Sequence, residues 1–307
     1  MKVDTKSLVW EHGFVLKKKF GQNFITDQRI FQEIVEKAGV TKSDVVIEIG
    51  PGAGGLTACL AKAAKAVTAI EIDGELAPVL QASLKDFSNV DIIFADVLKW
   101  DLKSYLREKY AGESVKLVAN LPYYITTPIL MKLLEERLPL QTITVMVQKE
   151  VADRIQARPG GKDYGALTLA VAYYADAQTV MMVPPHVFLP APKVMSAVLH
   201  LRLKTRPGAA LITPAAGGQG SSAMGGEDIA DQPLSAQAEK NLFRVIGAAF
   251  EQRRKTLLNA LSNKGIAPKE KIKAALAEMA LPEDIRGERL SLAEFQGLSR
   301  LLEDGER

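Results

Sequence analysis

The stretch Val45-Val46-Ile47-Glu48-Ile49-Gly50-Pro51-Gly52-Ala53-Gly54-Gly55 constrains the chain more than any other. An apolar run of strand length empties into a glycine-rich turn, and a helix-forming segment, Leu56 to Ala64, follows at once. Glycine lets backbone come close to a ligand, and the first turn of a helix carries N–H groups without partners. The unit therefore predicts a buried parallel strand that opens into a site at its carboxyl end. Apolar runs recur at Ala66 to Ile72, Val90 to Ala95, Lys116 to Ala119 and Thr142 to Val147. Strands alternating with helical segments through residue 150 argue for an α/β fold, a parallel sheet with helices on both faces.

The flanking segments are less regular. Residues 1–16 have no period and predict a poorly ordered arm. Lys17-Lys18-Lys19 abuts Phe20-Gly21-Gln22-Asn23-Phe24, which reads either as a solvated lysine run or as a loop that touches phosphate and helps cover a cofactor. Asp27 is placed to cap a helix whose apolar residues Ile30, Phe31, Ile34, Val35 and Ala38 recur at helical spacing, with Gly39 closing it. After the fifth strand, Gln148 to Ala157 looks helical, and Arg158 to Asp163 is a partly basic turn. Leu167–Ala175, Thr179–Val183 and Val194–Leu203 read as a closing helix or strand pieces and at least one antiparallel strand. Between them the prolines of Pro184 to Lys193 hold an extended loop. Residues 206–234, rich in Gly, Ala, Ser and Pro, predict a flexible linker. Helices are expected beyond it at Ala236–Ala249, continuing through Gln252–Asn263, then at Lys269–Met279 and Leu292–Leu302. The expected division is an arm at 1–16, an α/β domain at 17–205, the linker at 206–234 and a helical domain at 235–307.

Composition narrows the function classes. A length of 307 residues suggests roughly two domains. The lone Cys59 excludes an internal disulfide, fits a reducing compartment and sits in an apolar helical context. With three scattered histidines (His12, His186, His200), no zinc constellation arises and no metal is expected. The chain has neither a membrane-length apolar run nor the apolar core of a secretion signal, so it is expected to be cytoplasmic. The net charge is only +3, but residues 236–290 hold eleven Lys/Arg against seven Asp/Glu. The basic character is concentrated there, with Arg253-Arg254-Lys255 as its densest cluster, read either as an anion-binding surface or as a solvated helix face.

Gly50, Gly52 and Gly55 match a dinucleotide fingerprint that two cofactor classes can use, a nicotinamide dinucleotide or S-adenosylmethionine. Three features favour the second. Glu48 stands just before the turn, where dinucleotide folds usually carry apolar residues. Asp96, ending the third strand, can bond an adenine amino group. Asn120-Leu121-Pro122-Tyr123, ending the fourth, has no role in hydride transfer. A carboxamide oxygen and a neighbouring carbonyl there can accept from an exocyclic amine, and a flat ring can stack on the base that carries it. Glu71, 21 residues beyond Gly50, is placed to accept from both hydroxyls of a ribose.

Six segments in one order resemble those of the ribosomal RNA adenine dimethyltransferases. They are Phe20-Gly21-Gln22-Asn23-Phe24, Glu48-Ile49-Gly50-Pro51-Gly52, Asn120-Leu121-Pro122-Tyr123, Gln148-Lys149-Glu150-Val151-Ala152, Asp163-Tyr164-Gly165 and Phe188-Leu189-Pro190-Ala191-Pro192-Lys193-Val194. The resemblance covers roughly residues 17–204 and again Phe250 to Leu257. It is strongest to enzymes that dimethylate two adjacent adenosines in the 3′-terminal hairpin of small-subunit (16S) rRNA. It implies a Rossmann-like S-adenosylmethionine-dependent methyltransferase domain, with a mostly parallel seven-stranded sheet, and a small all-helical domain that grips RNA. Departures from the family are the long linker at 206–234 and Tyr124, at a place often held by a small polar residue.

The resemblance also implies roles. Asn23 and Ile25 would flank the cofactor, Gly50 would approach its methionine part, Glu71 its ribose and Asp96 its adenine. Asn120 would lie where cofactor and target base meet. Its amide oxygen and the Leu121 carbonyl would accept from the target amine. Tyr123 would stack on one face of the base and Phe188 on the other, unless Phe188 is a core residue fixed between prolines. Lys17, Lys18, Lys19, Arg253, Arg254 and Lys255 would hold RNA in a 30S precursor, with a monomeric enzyme. A large-subunit rRNA adenine methyltransferase and a non-catalytic assembly factor on the same fold are the competing readings, and a nicotinamide-dependent dehydrogenase is remote.

Overall fold

The computed structural model describes residues 24–205, 207–208 and 234–303. The expectations for residues 1–16, for Lys17, Lys18, Lys19 and Asn23, and for nearly all of the 206–234 linker lie outside the described residues. Contacts divide the chain into two units. One holds the described residues up to Gln156 together with Asp176–Leu203, and the other holds Ala157–Ala175 and the residues from Lys204 onward.

The first unit is built on seven strands: β2 (Asp44–Ile49), β3 (Ala66–Glu71), β4 (Val90–Phe94), β5 (Ser114–Asn120), β6 (Thr142–Gln148), β7 (Ala175–Val183) and β9 (Ser196–Leu203). Their order in the sheet is β4-β3-β2-β5-β6-β9-β7. Pairings from β4 through β6 are parallel, and β9 runs antiparallel to β6. β2, β3, β5 and β6 are mostly apolar and mostly buried, as parallel strands covered by helices on both faces are, while the edge strand β4 is more exposed. Helix α1 (Gln28–Lys37) begins at Asp27, whose carboxylate accepts from Arg29 N, and ends at Gly39 with φ +60°. It lays Phe31, Ile34 and Val35 beside α2 (Gly55–Ala63), over Val46, Val67, Val118, Met146 and Val198 of the sheet. The helices α3 (Ala77–Leu84), α4 (Leu102–Lys109), α5 (Thr126–Glu135) and α6 (Lys149–Ile155) complete the unit. A two-stranded ribbon joins β1 (Phe24–Ile25) antiparallel to β8 (Phe188–Leu189) and is tightened by Thr26 N and Oγ1 donating to Val187 O at 2.8 and 3.0 Å. It pins the proline-rich loop to the beginning of the described chain.

At the amino edge of the sheet, Asp44 is buried and its carboxylate is saturated. It accepts from Thr41 N and Oγ1, Ser114 Oγ and Lys116 Nζ at 2.6–2.9 Å. Burial pushes its carboxyl up, but these four donors outweigh burial and hold it at about 2.

The second unit is helical: α7 (Ala166–Tyr174), α8 (Ala236–Glu251), α9 (Leu257–Asn263), α10 (Lys269–Glu278) and α11 (Leu292–Leu302). Leu167–Ala175, open between helix and strand in the sequence, is helical up to Tyr174. Residues 157–175, expected within the α/β domain, group with the C-terminal helices. Tyr173 and Tyr174 donate to Glu239 at 3.2 and 2.6 Å and pack their rings on Phe243. The expected continuation of α8 through Asn263 also breaks. Thr256 accepts from Asn259 N and starts a new helix, so Arg253-Arg254-Lys255 occupies a turn and not a helix face.

Candidate active site

The sheet order carries the site. In sequence, Gly50, Glu71, Asp96 and Asn120 end β2, β3, β4 and β5 or follow them directly. Since those strands lie side by side as β4-β3-β2-β5, the four residues fall along one edge in the order Asp96, Glu71, Gly50, Asn120. The strand order reverses between β2 and β5, the place where open α/β sheets bind ligands. One cleft, open to solvent, runs along this edge, lined by these four residues with Ile25, Leu121 and Tyr123.

Each position has a local cause. Gly50 has φ +72°, which a side chain rarely adopts, and its N–H donates to Ile70 O at 2.9 Å. A Cβ there would stand 4.0 Å from both Asn120 O and Pro122 Cδ, so the bare backbone shapes the cleft between β2 and β5. Gly55 serves a different purpose. A Cβ on it would come within 2.5 Å of Phe31 Cε2, and its absence lets α1 and α2 close on each other. Glu71 is buried and accepts from Gly52 N at 3.3 Å and Asp73 N at 2.9 Å. Burial pushes its carboxyl up, against the pull of the backbone donors of Asp73, Gly52 and Ile72. Asp96 accepts from Leu98 N at 3.0 Å and is partly exposed to the cleft.

Asn120 is locked in register opposite Met146, and Leu121 N donates to Met146 O at 3.2 Å. Among the described residues no hydrogen-bond partner meets the Asn120 carboxamide, which faces the cleft as an open acceptor and donor. Tyr123 is half-buried, and its hydroxyl shares a 2.6 Å hydrogen bond with Ser196 Oγ at the start of β9. That bond fixes the ring beside Asn120 at one end of the cleft. Ile25 reaches the cleft through the β1–β8 ribbon, as does Phe24, whose ring covers Gly52.

Phe188 lies apart from the cleft. It is 4% exposed, pairs with Ile25 and packs in the core with Phe31 and Val183. It is not among the residues that line the cleft, and its burial matches the alternative of a core residue fixed between prolines. The prolines around it hold the ring inward as part of the core. Arg253 also departs from expectation. Its Nε donates to Glu288 at 2.6 Å, and its Nη1 and Nη2 donate to the carbonyls of Lys162 and Gly161 at 2.7 and 3.0 Å. Arg254 and Lys255 beside it are exposed.

Tyr124, Ile72 and Glu48 are cleft residues to which the sequence assigned no place in the site. Tyr124 is 57% exposed and lines the cleft near Asp96 and Glu71, whose charges, after burial, push its hydroxyl up. Ile72 offers an exposed apolar face at the end of β3. Glu48 is 1% exposed beneath the glycine turn and belongs to the cleft wall. Burial pushes its carboxyl up to about 8; the Thr57 hydroxyl opposes this and the charge of Glu71 adds to it. Neither Glu48 Oε2 nor Thr57 Oγ1 has a partner in hydrogen-bonding geometry among the described residues. An orphaned carboxyl, a buried carboxylate and a glycine backbone along one wall suit a ligand that brings cationic and hydroxyl groups. S-adenosylmethionine, with its sulfonium, ammonium and ribose, meets that donor set.

Known proteins are similar to this chain. The family described as ribosomal RNA adenine dimethylase matches residues 13–211. A relative from Lachnoclostridium phytofermentans, named ribosomal RNA small subunit methyltransferase A, is 46% identical over 296 residues, 95% of this chain and 93% of that protein. A relative of the same name from Geobacillus thermodenitrificans is 46% identical over 302 residues, 97% of this chain and 94% of that protein. Among solved structures, the 23S rRNA methyltransferase ErmE superposes with a TM-score of 0.62 at 25% identity, covering 91% of this chain and 99% of that one. A dimethyladenosine transferase from Plasmodium falciparum superposes with a TM-score of 0.67 at 23% identity, covering 90% and 95%, and shares the fold.

Proposed function

This chain belongs to the ribosomal RNA adenine dimethylase family, and on that premise we propose that it methylates N6 of two adjacent adenosines in the 3′-terminal hairpin of small-subunit rRNA, with S-adenosylmethionine as methyl donor. The observation that carries the reading is the carboxamide of Asn120, without a hydrogen-bond partner among the described residues and held at the cleft end of β5 next to Gly50 and Tyr123. The substrate is RNA in a 30S precursor particle in the cytoplasm, and one copy of the chain suffices.

The donor supplies an electrophilic methyl on a sulfonium when bound. Glu71 and Asp96 are the residues that would hold its ribose and adenine, with the Gly50 backbone against its methionine part. The chain's own task is to make a poor nucleophile attack in line. The lone pair of an adenine amino group is delocalised into the ring. Acceptance of its two N–H groups by Asn120 Oδ1 and the Leu121 carbonyl draws the nitrogen toward a pyramidal shape and localises that pair. Tyr123, tethered by Ser196, supplies the stacking face that fixes the base. Such positioning is worth several kcal/mol, up to about 7–11 in well-oriented cases. The N-methylated product is first a cation, which yields its proton readily to water, so no positioned base is required. The adenosine leaves its stack at a cost of about a few kcal/mol, least in a hairpin loop.

The decisive experiment incubates the protein with labelled S-adenosylmethionine and unmethylated small subunits, then identifies the labelled nucleoside and its position by primer extension. N6,N6-dimethyladenosine in the 3′-terminal hairpin is the expected product. Label that appears only with large-subunit RNA would move the reading to the ErmE-like chemistry that the 0.62 superposition also allows. No transfer to either RNA, with the donor bound, would leave a non-catalytic assembly factor.

A further inference from the structure

The second unit contains a side-chain arrangement that the reaction itself does not use. Arg253 was expected to meet phosphate, yet three of its five N–H groups are directed inward. They reach Glu288 Oε2 at 2.6 Å, Lys162 O at 2.7 Å and Gly161 O at 3.0 Å. Its charge is already balanced by Glu288. The two carbonyls belong to the turn at 158–163, which carries Arg158 and Lys162, both exposed. Three further bonds hold the turn in the same place. Gly160 N donates to Glu288 O at 2.7 Å, Gly161 N to Arg158 O at 3.0 Å, and Tyr164 Oη to Leu290 O at 2.7 Å. Gly160, at φ +82°, lies so close to Arg289 that a Cβ would come within 3.1 Å of Arg289 Nη1. The bonds around Arg253 and Glu288 therefore gather three basic segments: Arg158 with Lys162, Arg254 with Lys255, and Arg289. All five of these residues are exposed, and none meets a carboxylate among the described residues.

We propose that Arg253 is a positioning residue: it clamps the 158–163 turn so that Arg158 and Lys162 join Arg254, Lys255 and Arg289 in one surface for the phosphate backbone of RNA. The inference rests on the RNA-binding reading above. The planar guanidinium fork is what the clamp requires, since one rigid group must serve a carboxylate and two carbonyls at once. A direct phosphate ligand keeps much of its attraction as a lysine, which binds phosphate as a point charge.

A double-mutant cycle separates the two roles. Binding of the full chain to unmethylated small subunits is measured across a potassium chloride series for Arg253→Met, for the Arg158→Ala/Lys162→Ala pair and for the combination. Methyl-donor affinity serves as the check that the first unit is intact. The pair should weaken binding about tenfold, as for two lost phosphate contacts, and flatten the salt dependence. Arg253→Met should cost a similar factor alone but no more than about twofold on top of the pair. Arg253→Lys should behave like Arg253→Met, and trypsin should cut after Lys162 faster in both. Equal losses from Arg253→Met in both backgrounds, or full rescue by Arg253→Lys, would make Arg253 a direct ligand and overturn the proposal. If the pair binds normally while Arg254→Ala/Lys255→Ala does not, the turn is no phosphate surface and the proposal falls with the RNA reading intact. If both pairs bind normally, the RNA reading of this unit falls. Should Arg253→Met fail to fold, Glu288→Gln weakens the same clamp and takes its place in the cycle.

Discussion

The buried acid beneath the glycine turn makes the first unit's stability depend on pH in a direction opposite to that of most carboxylates. The Glu48 carboxyl is pushed from 4.5 to about 8 by burial, with the charge of Glu71 adding to it. Below pH 4.5 the group is protonated in both the folded and the unfolded chain and has no linkage effect. Between 4.5 and about 8 the folded chain keeps a proton that the unfolded chain has released. Stability therefore falls with rising pH by about 1.4 kcal/mol per unit through that window and levels off above it. From pH 5.5 to 7.0 this amounts to about 2 kcal/mol, and over the whole window to nearly 5. Glu48→Gln keeps the shape of the neutral acid and removes the titration. Urea unfolding at pH 5.5 and 7.0 should show the wild type losing about 2 kcal/mol more than the variant, with the variant the more stable protein at neutral pH. Glu71, raised in the same direction, contributes to both proteins and largely cancels in the comparison. Parallel pH profiles for the two proteins would refute the argument, because they would mean that Glu48 is already ionised and solvated in the folded chain.

Asn120→Ala should lower methyl transfer by about a hundredfold or more while the dissociation constant for S-adenosylmethionine changes little, as for loss of a group that acts mainly in the transition state. Single-turnover transfer and equilibrium titration check the two halves, and near-normal turnover would remove Asn120 from the mechanism. Asp44→Ala should destabilise the first unit by about 3–5 kcal/mol, because Lys116 keeps a charge with little exposure and loses its counter-ion. The wild-type contribution of Asp44 is present above 3.8 and is lost as pH falls through about 2, so its loss should also flatten acid unfolding. Chemical denaturation followed by tryptophan fluorescence reads both effects, and an unchanged midpoint would show the ion pair to be dispensable.

How far the sequence reveals the site depends on whether a residue's role is set by its own strand or by a distant partner. Gly50, Glu71, Asp96 and Asn120 each sit where an apolar run stops, and a parallel sheet collects such stops along one edge whatever the loops do. Their convergence on one cleft was therefore legible before any coordinate. Leu167 to Tyr174 was ambiguous because the helix is apolar all round, and a run buried on every side shows neither the 3.6 nor the 2.0 period. Phe188 entered as a candidate site residue through the family resemblance, and Arg253 through that resemblance and the basic cluster it belongs to. What decides them is a pairing 163 positions away, Ile25 with Phe188, and one 91 positions away, Arg253 with Lys162. No local pattern encodes such separations. A proline-flanked phenylalanine looks the same in a core as in a cleft, and an arginine whose fork is filled by carbonyls looks the same as one awaiting phosphate. Glu48 is the opposite case, an acid inside an otherwise apolar strand. It contradicts its surroundings, and such contradictions tend to mark function. It entered the choice between cofactors without being assigned a place in the site, although its orphaned oxygen lies in the wall of the same cleft.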